Sequence, residues 1–178
     1  MDVERLPQDL ADALAQVSDG LSGTAVAYAR NRVLLDWRRR VQSELLALLR
    51  RGRADRFASV RDLLDDTVAL VPARQPADEE ARTPASVQRE AAILVVEAWI
   101  GLARDLLVTG LGRPALAPGT ELGPELELTA GRLDATSLLA ALRRLEEVHA
   151  GLRENAAPRL ALEAAMLSWP MLPATGER

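Results

Sequence analysis

The chain has 178 residues, a formal net charge of −4 and 48% hydrophobic residues, enough for one substantial domain with a core of its own. It has no Cys, which excludes disulfides and thiolate metal sites, and one His, which closes most routes to acid–base or metal catalysis. All 22 positive side chains are Arg, and the acidic balance argues against wholesale binding of nucleic acid while leaving local patches open.

Only three Trp, one Tyr and one Phe are present, so the core has to be made from Leu, Val, Ile and Ala. Ala, Leu, Arg and Glu dominate, and these are strong helix formers. No segment alternates apolar and polar residues over the length of a strand. The expected fold is all-α, a bundle of five to seven helices.

Residues 1–20 hold Glu4, Asp9, Asp12 and Asp19 without an apolar run, so a signal peptide is not expected. A first helix is predicted from Pro7 to Val17, with Leu6, Leu10, Leu14 and Val17 on one face, stopped by Ser18-Asp19-Gly20. A helix-turn-helix over residues 6–30 would fit by length. Its second helix, Thr24–Arg30, offers almost nothing to read a base edge.

The second helical stretch is predicted from Thr24 to Arg51, bent near Asn31, with Leu34, Trp37, Val41, Leu45 and Leu48 inward. Gly52 is expected to end it in a left-handed conformation. A third helix follows from a cap at Asp55 to Val71, burying Phe57, Val60, Leu64, Val68 and Val71. Between Arg30 and Arg56, nine Arg stand against Asp36, Glu44 and Asp55, a local excess of six positive charges. The candidate basic patch is Arg38, Arg39, Arg40, Arg50, Arg51 and Arg53. It reads either as a contact for phosphate or an acidic partner, or as a solvated helix face.

Residues 72–85, with Pro72, Pro76 and Pro84, read as a polar linker. Thr83 or Ser86 is expected to cap a helix that runs to Leu111 and is apolar on nearly all sides. Such a helix belongs at the centre of the bundle. Glu97 and the following Arg104-Asp105 make this segment too charged to span a bilayer, so a cytoplasmic protein without membrane contact is expected. Residues 110–124, rich in Gly and Pro, read as a loop, with a helical turn over Pro124–Ala130. Asp134 is expected to cap a helix to Glu154, with Leu138, Leu142, Leu145, Val148 and Leu152 inward. Asn155 is expected to cap the last helix, with Pro158 in its first turn. Leu160, Met166 or Leu167, and Trp169 are its expected buried side chains. Residues 173–178 are expected to fray.

No motif for chemistry emerges. Glu146-Glu147-Val148-His149 contains a Glu-x-x-His, but a di-iron bundle needs two such pairs and the chain has one His. His149 also falls beside the Leu145–Val148–Leu152 stripe, on an expected solvated face. No Gly-x-Ser-x-Gly surrounds a serine, and the Gly pairs at 20/23 and 110/112 lack the spacing and the Lys of a phosphate loop. Catalytic residues, cofactors and metals are therefore expected to be absent.

Two segments resemble a known family. Glu97-Ala-Trp99-Ile-Gly-Leu-Ala-Arg104-Asp105-Leu106-Leu107 resembles the central collar helix of the delta-prime subunits of the bacterial DNA polymerase III clamp loader. Asn155-Ala-Ala-Pro-Arg159-Leu160-Ala-Leu162-Glu163-Ala-Ala-Met-Leu167 resembles the closing Asn-x-x-x-Arg-Leu-x-Leu-Glu motif that delta-prime shares with the gamma/tau subunits. The first segment favours delta-prime over gamma/tau. A weaker likeness joins Leu10–Ala29 to the end of the family's helical lid.

The resemblance implies residues 1–30 as a lid remnant and 31–172 as a collar-like domain. It implies no ATPase chemistry in this chain, since the nucleotide-binding-type domain, zinc-binding cysteines and arginine-finger motif of the family have no counterpart. It implies gamma/tau and delta as partners through helical faces in DNA replication, with DNA met only indirectly and self-association of the isolated chain. Trp99, Arg104, Asp105, Arg159, Glu163 and Trp169 are then the candidate interface or core anchors. The alternatives are a free-standing helical adaptor or homo-oligomer, and a small DNA-binding regulator that uses the Arg-rich segment.

Overall fold

The computed structural model describes residues 32–71, 83–117 and 122–172. The predicted helix over Pro7–Val17, the lid remnant, the bend near Asn31, most of the 72–85 linker, residues 118–121 of the predicted loop and the 173–178 tail lie outside the described residues. Those described form six α-helices and one 3-10 turn, with no strand among them. The all-α bundle expected from composition is the fold.

Helix α1 spans Arg32–Leu48 and α2 spans Arg53–Val68. In α1, Leu34, Trp37, Val41, Leu45 and Leu48 are buried, as their three- and four-residue spacing requires. The end of α1 differs from expectation. The chain leaves it through tight turns, with Leu49, Arg50 and Arg51 donating their N–H groups three residues back. Gly52 is extended (φ −69°, ψ 170°) and stands as the N-cap of α2 rather than as a left-handed stop. No left-handed residue is needed, because the carbonyls such a cap would serve are taken: Leu48 O accepts from the Arg51 N–H and the Arg56 side chain, and Leu49 O from the Leu172 N–H. Asp55 lies in the first turn of α2, where its charge suits the positive helix end, and is not the cap. Val60, Leu63, Leu64, Thr67 and Val71 are buried, while Phe57 and Val68 are only partly so.

Helix α3 spans Pro84–Gly110. Thr83 caps it, its hydroxyl accepting from the Ser86 N–H at 3.1 Å, and Pro84 takes the first position, where no N–H is required. It ends in a Schellman motif: Gly112, at φ +74°, donates to Thr109 O and Arg113 donates to Val108 O. The nearly continuous apolar surface of α3 is explained by its surroundings, since it packs against every other helix. Trp99, Leu102 and Leu106 are wholly buried within one contiguous core.

A 3-10 turn at Pro114–Leu116 and helix α4, Gly123–Ala130, fold back against the end of α3. The approach there is close: a Cβ on Gly110 would stand 3.4 Å from the Ala130 carbonyl oxygen. Helix α5 spans Ala135–Arg153 and starts as predicted at Asp134, whose carboxylate accepts from the Ser137 N–H at 2.8 Å. That bond holds the Asp134 carboxyl below its usual range.

Asn155 plays a different part from the one its position suggests. It adopts φ 70° and closes α5, donating to Leu152 O while Ala156 donates to Gly151 O. Asn tolerates the left-handed region better than other side chains, so the residue ends one helix rather than starting the next. Helix α6 spans Pro158–Ser168, with Ala157 at its N-cap and Pro158 at its first position. Leu162, Ala165 and Met166 face inward, so of Met166 and Leu167 it is Met166 that is buried and Leu167 stands 56% exposed, while Leu160, expected inside, stands 65% exposed.

Candidate interaction surface

The polar centre of the molecule is Arg56. Its side chain is only 3% exposed, and its guanidinium ties two helix ends together. Nε donates to Leu48 O and Arg51 O at 3.1 Å each, at the end of α1. Nη1 donates to Met166 O at 3.0 Å and to Trp169 O at 2.6 Å, and Nη2 donates to Pro170 O at 2.8 Å, at the end of α6. Arg suits this place because its planar fork serves several acceptors at once, and because helix C-termini carry partial negative charge. Burial lowers the affinity of the guanidinium for its proton, with Arg53 adding to the effect.

Residues 169–172 continue the same junction. Trp169 Nε1 donates to Leu45 O at 3.1 Å and the Leu172 N–H donates to Leu49 O at 2.8 Å. This strap ties the end of α6 to the end of α1, and α6 turns Leu162, Ala165 and Met166 inward. Leu160 and Leu167 are seven residues apart, near two full turns, so they share that outer face, with Ala164 between them. Met171, 60% exposed, follows beyond the helix end. Beside them, Arg159 Nε meets Glu163 Oε1 at 2.8 Å, and Asp65 of α2 adds to the field that favours the charged Arg159. The outer face of α6 is thus an apolar stripe bordered by a local ion pair.

The other anchors expected from sequence divide between core and surface. Trp99 is fully buried and Trp169 is 3% exposed, so both belong to the core. Trp99 Nε1 has no hydrogen-bond partner, whereas Trp37 Nε1 donates to Thr67 Oγ1 at 3.0 Å. Arg104 is exposed, and its neighbour Asp105 is buried. Arg38 lies over the face that Gly101 shares with Asp105; a Cβ on Gly101 would come within 2.9 Å of Arg38 Nη2.

The Arg-rich segment is not an unopposed basic surface. Arg40 pairs with Asp66. Arg51 meets Glu44 at 2.8 Å and also reaches Ser59. Arg38 is half-buried, and Arg56 is inside. Arg39, Arg50 and Arg53 are exposed, Arg50 on the α1–α2 turn and Arg53 at the first position of α2. Arg40 and Arg51 are thus answered by carboxylates within the chain, and Arg56 serves the fold, which favours a structural reading for this part of the Arg run.

His149 is corrected too. Its side chain is 24% exposed, with Nε2 3.5 Å from Glu97 Oε1 of α3, so it lies against the α3–α5 contact rather than on a solvated face. The reason is periodicity: Leu138, Leu142, Leu145 and Leu152 step by four and three residues through position 149. Among the described residues no group of three or more His, Cys, Asp or Glu is placed to hold a metal ion, and no helix is long and apolar enough to cross a membrane.

Sequence reading missed Arg56 and the outward turn of Leu160. A signal for the first was present, since Arg56 precedes Val60 and Leu64 at four-residue steps and so falls on their buried stripe. Comparison of the chain with protein-family models, with curated proteins and with solved structures gives no match.

Proposed function

We propose that this chain is a subunit-assembly module of the clamp-loader collar type, which holds helical partners together and carries out no chemistry itself. The observation that carries the reading is the outer face of α6, where Leu160 and Leu167 are exposed on a helix held rigidly by the Arg56 junction. An apolar stripe on a fixed helix is suited to packing against another helix, with Arg and large apolar side chains as anchors. The stripe lies within the segment whose Asn155–Leu167 sequence resembles the closing collar motif, and so supports gamma/tau and delta as the partners. Arg159 and Glu163 border the contact, and Trp99 and Trp169 support it from the core.

The test is co-purification of the chain with gamma/tau and delta subunits, repeated with a Leu160→Glu/Leu167→Glu variant. The wild-type chain is expected to be retained and the variant lost. A chain that stays monomeric and ignores those subunits overturns the proposal. Salt-sensitive DNA binding by the isolated chain would favour the Arg-based regulator instead.

A further inference from the structure

We draw no further inference here: the strongest candidate, the apolar outer face of α6 with Leu160, Leu167 and Met171, already carries the proposed assembly role, and nothing in the structure shows what else covers it.

Discussion

Arg56 donates a 2.6 Å hydrogen bond to the backbone carbonyl of Trp169, a residue 113 positions further along the chain. This contact, with its companions to Leu48, Arg51, Met166 and Pro170, makes one side chain the cap of two helix ends. Replacing Arg56 with Ala takes this donor from the Met166, Trp169 and Pro170 carbonyls, while Leu48 O keeps the N–H of Arg51. Each stranded acceptor costs about 1–3 kcal/mol before water or local relaxation recovers part of it, so a total loss of about 3–5 kcal/mol is expected. Arg56→Lys is expected to lose most of the same stability, because one ammonium cannot span carbonyls from both helix ends. Urea unfolding followed by circular dichroism measures this. A midpoint for Arg56→Ala close to that of the parent chain would refute the junction as a stabilising element.

Two glycines of α3 should respond unequally to the same substitution. At Gly101 a new methyl group meets the far end of Arg38, a flexible side chain that can swing aside. Exchanging Gly for Ala within a helix stabilises it by about 1 kcal/mol, so Gly101→Ala is expected to raise the unfolding midpoint. At Gly110 a methyl group would stand 3.4 Å from the backbone oxygen of Ala130, an ordinary contact, but the position is the last of α3, where the helix-interior gain is not available in full. Gly110→Ala is therefore expected to gain less than Gly101→Ala. Equal gains at both sites would show that the end of α3 takes a methyl group as favourably as its interior.

The elements that were legible in the sequence are those decided locally. Thr83 before Pro84 and Asp134 before Ser137 announce their helix starts because a short polar side chain reaches its own first turn. The apolar surface of α3 announces a central position because no other placement covers it. What stayed hidden depends on distant partners. Arg56 sits in a run of arginines that reads as solvated, and its acceptors at Met166, Trp169 and Pro170 become neighbours only once the fold closes. Asn155 fits the start of a helix by residue type, but the end of α5 uses its left-handed backbone. The outer face of α6 was only half visible: its segment was marked by resemblance, whereas the exposure of Leu160 and Leu167 follows from the burial of Leu162, Ala165 and Met166 on the other side.

The Asp134 cap gives stability a specific dependence on pH. Its carboxyl is held below its ordinary value by the Ser137 N–H and hydroxyl, so the folded state binds the proton less readily than the unfolded state. The contribution of the cap is complete above the unfolded value of about 4 and is lost as pH falls through the lower folded value. Asp134→Asn keeps an acceptor for Ser137 and is expected to flatten this part of the profile. Asp134→Ala removes the cap at every pH. Thermal unfolding from pH 7 to pH 2 separates the three proteins, and an unchanged acid limb in Asp134→Asn would rule the group out as its source.

The outer and inner faces of α6 provide the sharpest separation of assembly from folding. Leu160 and Leu167 stand largely in solvent, and surface substitutions of this kind usually change stability by less than about 0.5 kcal/mol. Leu160→Glu/Leu167→Glu should accordingly unfold with the parent chain yet fail to bind a helical partner, because two carboxylates would be taken into an apolar contact without counter-charges. Leu162 on the inner face is wholly buried, and Leu162→Ala should cost about 2–5 kcal/mol through the cavity it leaves. A chain carrying Leu162→Ala that still folds at low temperature should keep its partner. Size-exclusion chromatography of partner mixtures, set beside the unfolding midpoints, reads both effects. If the outer double variant binds as well as the parent, α6 is not the assembly face; if it unfolds, the exposed leucines belong to the core.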